Sequence, residues 1–360
     1  MGRLFFPVQL GWKVGVHFFM TTVFVTDERF DGHTMPGHPE HAGRLQAVRC
    51  CLTGLAERMT HLETRPATRE DLLAVHSNAH LDLLDRFSSR EHITMIGLDT
   101  YVTPGSYELA RLAAGGVLQV VDAVLTGEAG NGLAAIRPPG HHATPNHAMG
   151  FCLLNNVAIA ARYAQRTHGI ERVLIVDYDV HHGNGTQDAF FADPSVLYIS
   201  THQSPLYPGT GEAHETGTGA GSGTTLNIPL PPGTGDAGFY TVFEELVLPV
   251  ARRFEPELVL LSVGFDAHWR DPLADLQLSL TGYDHLTRMM LAAADEWCQG
   301  HIVGVMEGGY DLDVLSAGWA NMARAFLGDD GVVDELGVSN RSQPSLAHAL
   351  RLAKRFHKLT

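Results

Sequence analysis

"RVLIVDYDVHHGNGTQ", residues 172–187, decides how the chain is read. Its first half is a nearly unbroken apolar and β-branched run, the pattern of a strand covered on both faces of a sheet. Its second half sets Asp177, Asp179, His181 and His182 within six positions. Ionisable groups at the end of a buried strand are expensive to desolvate unless something pairs with them. A metal, a ligand or a set of partner side chains is therefore expected at this strand end.

Outward from that stretch, the same grammar repeats. "GLAAIRP" (132–138), "SVLYIST" (195–201), "ELVLLSVGFD" (257–266) and "HIVGVMEGG" (301–309) are further short apolar runs, and "TTVFVTDERF" (21–30) opens strand-like. Between them, residues 105–127, 155–168, 236–253, 281–299 and 313–327 carry helical apolar spacing. Buried strands alternating with helices predict an α/β class, a central, mostly parallel sheet with helices on both faces. Polar clusters close four of the runs: "RPPGHH", "DYDVHH", "GFDAH" and "EGGY". Ligands of open parallel sheets bind at the carboxyl edge, so these clusters are expected on one rim.

The chain has 360 residues and is 44% hydrophobic, enough for one large core. No repeat, low-complexity tract or linker divides it, so residues 20–360 are expected to form a single domain. Residues 1–19 are apolar but broken by Lys13 and His17, and read as an N-terminal extension; Met20 is an alternative start. Net charge is −15 with no Lys/Arg run, which argues against a nucleic-acid partner. No apolar run reaches membrane-spanning length, so no membrane is expected. The four cysteines form no CxxC pair, which suits a reducing, cytoplasmic setting. The amphipathic end, "SLAHALRLAKRFHKL" (345–359), is expected to pack on its own domain. An oligomer stays possible.

Asp179 and His181 have i, i+2 spacing and would face one ion from an extended segment. With Asp266 of "SVGFDAH" they make an Asp–His–Asp set, and three protein ligands with an open position suit catalytic zinc. The alternative is that Asp179 and His181 pair with each other or cap the next helix. His141 and His142 follow the rigid turn "RPPG" and suit acid–base work. Asp177 and Asn184 are the candidate partners, one per histidine. A carboxylate favours the charged ring and an amide leaves its ring neutral, so the Asp177-linked histidine gives electrostatic support and the Asn184-linked one is the base. Tyr310, after two glycines, can donate to a developing oxyanion.

In this order, "RPPGHHA", "MGFCLLNNVA", "VDYDVHHGNGTQDAF", "YPGTGE", "GFDAHWRDPLA" and "MEGGY" resemble the histone deacetylase family, in particular its bacterial amidohydrolases and acetylpolyamine amidohydrolases related to class II. The resemblance runs from "GHPEHAGRL" (37–45) to the final helices. It implies the arginase/deacetylase fold, one catalytic Zn2+, a structural K+ and hydrolysis of acetylated amines to free amine and acetate. Asp179, His181 and Asp266 then look like the zinc ligands, with potassium around the Asp177–His181 backbone and Ser200. His141 and His142 look like the catalytic pair, His142 the general base, and Tyr310 the carbonyl-polarising tyrosine. Phe151 and Tyr207 match the aromatic walls of an acyl-lysine tunnel, although Phe is commoner at 207. Gly150 matches a tunnel-lining glycine, Asp99 a rim aspartate that holds the substrate backbone, and Arg44 an arginine of an internal acetate channel. Leu273 stands where polyamine-specific relatives carry a glutamate for the distal ammonium. Asp27, Glu28 and Asp31 are other candidates for that contact. Two rivals remain: a binuclear manganese ureohydrolase of the same fold, and an inactive acyl-lysine binding module.

Overall fold

The apolar runs read from the sequence become strands. In the computed structural model, which describes residues 21–359, one eight-stranded sheet is built from β1 (Thr22–Val25), β2 (Thr60–His61), β3 (Asn131–Ala134), β4 (Val173–Asp177), β5 (Val196–Gln203), β6 (Thr225–Leu230), β7 (Leu258–Val263) and β8 (Ile302–Met306). The extension expected at residues 1–19 lies outside the described residues. Every pairing in this sheet is parallel. The order is β2-β1-β3-β8-β7-β4-β5-β6, so the four strands that end in polar clusters are neighbours in the middle of the sheet. Their register is level: Asp177 pairs with Ser262, Met306 with Val263 and Val305 with Ala134. Adjacent strands stopping together bring four separate motifs to one rim.

β4 and β7 are buried at every position, as continuous apolar runs require when helices cover both faces. The helices match the periodic segments closely: Ser106–Leu125, Asn156–His168, Leu280–Cys298 and Leu312–Phe326. The stretch 236–253 is helical but not uniform. Its ladder widens at Phe243–Val247, where the Leu248 N–H reaches the Phe243 carbonyl, just before Pro249, which has no N–H to continue it. The C-terminal helix Ala347–His357 packs on β6, the sheet edge, and buries Ala349, Ala353 and His357. Among the described residues, no helix is long and apolar enough to cross a membrane.

Candidate active site

The chain leaves β4 at Asp177 and bends at once. Asp177 Oδ1 accepts the Asp179 N–H at 3.2 Å, and Asp179 Oδ1 accepts the His181 N–H at 2.9 Å. Asp179 and His181 therefore do not sit on an extended segment, as their spacing suggested. Two successive side chain–backbone turns aim them inward instead. Asp266 arrives from β7, three residues past the strand, and its Oδ1 accepts the Val180 N–H at 2.8 Å.

The three side chains converge. His181 Nδ1 is 3.1 Å from Asp179 Oδ1 and 3.4 Å from Asp266 Oδ2, and one ligand atom from each residue lies within 4.8 Å of the others. Both carboxylates are fully buried. Asp266 Oδ2 has no hydrogen-bond partner although it is buried. Two carboxylates closing on one imidazole, with an acceptor left over, is a donor set that fits a divalent cation. Burial, then the neighbouring Asp179 charge, raises the Asp266 carboxyl. Burial works against a charged His181 too, but the two carboxylates outweigh it and push the ring up to about 10. The backbone of the "MEGGY" motif closes in: Asp179 Oδ2 accepts the Gly308 N–H at 2.8 Å, and a Cβ on Gly308 would collide with Asp266 Oδ2. Only glycine fits there.

The two histidines take different partners. His141 Nδ1 is 3.0 Å from Asp177 Oδ2, which also accepts the Tyr198 hydroxyl at 3.0 Å. His142 Nδ1 is 2.8 Å from Asn184 Oδ1. Burial opposes charge on both rings. For His141 the Asp179 and Asp177 carboxylates prevail and push it up to about 10. For His142 burial is reinforced by the His141 and His181 rings, so it falls well below the ordinary imidazole value and stays neutral. Both pairings read from the residues are present, and the charge difference between the rings has the expected sign. The "PPGHH" turn is held by Glu307, which accepts the Gly140 and His141 N–H groups at 2.6 and 3.1 Å.

Tyr310 is clamped from two sides. Its N–H donates to Asp271 Oδ2 at 2.7 Å, and the Arg44 guanidinium lies 4.8 Å above its ring. Arg44 is fully buried, and its Nε donates to the Gly309 carbonyl at 2.8 Å. Phe151 faces Tyr310 edge-on at 5.8 Å, and Tyr207 faces His142 edge-on at 5.1 Å. Gly150, at φ +55°, leaves no room for a Cβ, which would fall 2.3 Å from His142 Cδ2. Phe151 itself is held at φ +68° by its N–H bond to Thr100 Oγ1. Asp99 Oδ1 accepts the Gly150 N–H at 3.2 Å, next to these walls. Leu273 lies half-buried on the Asp271 loop, its N–H bonded to Asp271 Oδ1 at 2.9 Å. Two of the early-loop carboxylates are engaged, Asp27 by Arg29 and Thr64 and Asp31 by Arg49 and Gln46, while Glu28 is exposed.

Several supporting residues were not singled out by the sequence reading. Glu40, Arg137, Tyr198, Asp271, Glu307 and His38 all touch the shell around the site. For Glu307 a signal exists: it is a lone charge closing the apolar strand "IVGVME". The others have no local signature.

Sheet and rim together define an α/β protein with a buried carboxylate–histidine centre able to hold a divalent ion, flanked by an unequal histidine pair and a tyrosine. The pattern of the histone deacetylase domain matches residues 38–326. Histone deacetylase 14, chloroplastic, of Arabidopsis thaliana is 42% identical over 350 residues, covering 91% of this chain and 83% of that protein. A probable deacetylase of Archaeoglobus fulgidus is 44% identical over 299 residues, 82% of each chain. Among solved structures, the crystal structure of the HDA15 HD domain superposes with a TM-score of 0.86 at 37% identity, covering 94% of this chain and 96% of that one. The chain belongs to the histone deacetylase family, and its fold is the arginase/deacetylase fold.

Proposed function

We propose that this protein hydrolyses the amide of an acetylated amine, releasing the free amine and acetate, with one zinc ion held by Asp179, His181 and Asp266. The observation that carries the reading is the convergence of those three buried ligand atoms beside two histidines with opposite charge preferences. A divalent ion in that set supplies Lewis-acid polarisation of the amide oxygen and acidifies water.

The rest falls to the chain's own residues. The Nδ1–H of His142 donates to Asn184 Oδ1, which leaves Nε2 with its lone pair, and burial keeps the ring neutral, as a base requires. It takes the proton of the attacking water. His141, kept charged by Asp179 and Asp177, supports the negative charge that develops, and the proton returns from the histidine pair to the departing amine. The Tyr310 hydroxyl donates to the tetrahedral oxyanion. Phe151, Gly150 and Tyr207 shape a narrow passage for an aliphatic amine, and Asp99 offers a carboxylate at its rim. A potassium ion at the Asp177–His181 backbone and Ser200 belongs to the same reading, as does a reducing, cytoplasm-like compartment for the four free cysteines.

Acetate release from an acetyl-lysine peptide tests this. Turnover should fall about 10²–10³-fold in Tyr310→Phe and about 10²–10⁴-fold in His142→Ala. It should vanish on chelation and return with one equivalent of zinc. Equal turnover by wild type and both variants sinks the assignment. Two manganese ions per chain would favour the ureohydrolase reading instead.

A further inference from the structure

Beside the walls stands a small antiparallel hairpin, Thr94–Met95 with Tyr101–Val102, closed by the Ile96 N–H to Thr100 carbonyl bond at 2.9 Å. Its tip is pinned to the site. Asp99 Oδ1 accepts the Gly150 N–H, and Thr100 Oγ1 accepts the Phe151 N–H at 3.0 Å. The residue before Asp99, Leu98, is fully exposed, and Ile93 and Met95 on the same hairpin are 40% and 45% exposed. Nine large apolar side chains are exposed among the described residues, and four of them, Ile93, Met95, Leu98 and Tyr207, lie on the two segments that flank His142 and Phe151. Scattered exposed leucines need no explanation, but a cluster at the lip of a binding site marks a contact surface.

We infer that Ile93, Met95 and Leu98 form an apolar lip that selects acetyl-lysine peptides with an apolar residue next to the acetyl-lysine. This rests on the deacetylase reading above. The tip is fixed to the passage walls, so whatever continues past the passage on the Asp99 side must run over Leu98. A small acetylated amine ends before it gets there, whereas a peptide does not. Ile93, Met95 and Leu98 carry no charge, and the carboxylate at the tip, Asp99, accepts the Gly150 N–H. Of the early-loop acids, Asp27 and Asp31 are paired with Arg29 and Arg49. Burying an aliphatic side chain against such a lip discriminates by about tenfold for each well-covered group.

The test compares acetate release from three acetyl-lysine peptides that carry Leu, Ser or Asp beside the modified residue, with acetylputrescine as a fourth substrate. Wild-type protein should prefer the Leu peptide over the Ser peptide by about tenfold in kcat/KM, with the Asp peptide and acetylputrescine poorer still. Leu98→Ser, at a fully solvated position, should fold normally and shrink the Leu/Ser ratio to about threefold or less, and Met95→Ser should act in the same direction. A wild-type ratio near one, a ratio unchanged in Leu98→Ser, or acetylputrescine as the best substrate overturns the inference while leaving deacetylation intact. So does a wild-type dimer that Leu98→Ser dissociates without changing the ratio, since a second copy then covers the lip. No acetate from any of the four overturns the deacetylase reading itself.

Discussion

Asn184 holds the Nδ1 side of His142 with a neutral oxygen, whereas Asp177 holds His141 with a charged one. That difference in partner adds to the Asp179 carboxylate, which favours charge on His141, and to burial and the neighbouring His141 and His181 rings, which keep His142 neutral. Asn184→Asp should therefore narrow the distinction. The new carboxylate favours the imidazolium, so the base is protonated up to a higher pH. The acid limb of the kcat/KM profile is expected to move upward by about one pH unit, with the alkaline limb little changed. An unmoved acid limb would mean that another group governs it. These partners were legible because their candidates cluster: His141, His142, Asp177 and Asn184 all lie in two motifs of recognisable chemistry. Asp271 was not, because nothing within "HWRDPLA" reveals that its carboxylate will accept the N–H of Tyr310, 39 positions away.

At the scale of elements, the order of strands in the sheet explains why distant motifs meet, and that order is invisible to periodicity. The strand and helix positions were readable because buried parallel strands are continuous apolar runs, and the covering helices repeat every three to four residues. β6 escaped, since "TLNIPL" mixes Asn227 and Pro229 into an edge strand that needs only one partner. Also unreadable was the tie between the segment before the first long helix and the histidine turn. Both Glu40 oxygens accept from Arg137, Arg44 Nη1 adds a bond at 3.2 Å, and the Tyr101 hydroxyl donates to the Glu40 carbonyl at 2.9 Å. Burial alone would raise the Glu40 carboxyl, but Arg137 first and Arg44 next bring it down to about 2. Its contribution to stability is thus complete above the ordinary glutamate value of 4.5 and fades as pH falls toward 2. Glu40→Ala leaves two buried guanidiniums without a counter-charge and should cost about 3–5 kcal/mol. Urea unfolding at neutral pH measures it. A loss under about 1 kcal/mol would mean that water replaces the carboxylate and that the cluster is not dry.

For the whole molecule, the histidines matter in a second way. Burial pushes His33 and His76 down to about 3, and His202, His268 and His357 down to about 4. His76 shows why the neutral ring is needed: with its Nδ1–H donated to the Thr144 carbonyl, its Nε2 must accept the Asn155 N–H at 2.9 Å, and Asn155 in turn caps the helix Asn156–His168. A protonated ring has no acceptor to offer. Each of these groups takes up a proton on unfolding once pH drops below about 6.5, so the stability they permit is full above that pH and is lost on acidification. Glu307 and Asp271, raised by burial to about 7, act in the opposite sense, because the unfolded chain releases their protons. His80, His142 and His182 are lowered by burial in the same way, so rings that gain a proton on unfolding outnumber the two carboxyls that lose one, and each uncompensated ring adds a slope of about 1.4 kcal/mol per pH unit below pH 6.5. The window between about pH 6.5 and 5 lies above the range where ordinary surface carboxylates titrate, so the slope is assignable to the buried rings and carboxyls. Urea unfolding at half-unit steps from pH 7 to 5 should show the free energy falling steeply with an unchanged m-value. His76→Gln, which can donate and accept without titrating, should flatten the slope by about 1.4 kcal/mol per pH unit. A stability that stays level to pH 5 would require these rings to be solvated or already charged in the folded protein, contrary to their burial and hydrogen bonding.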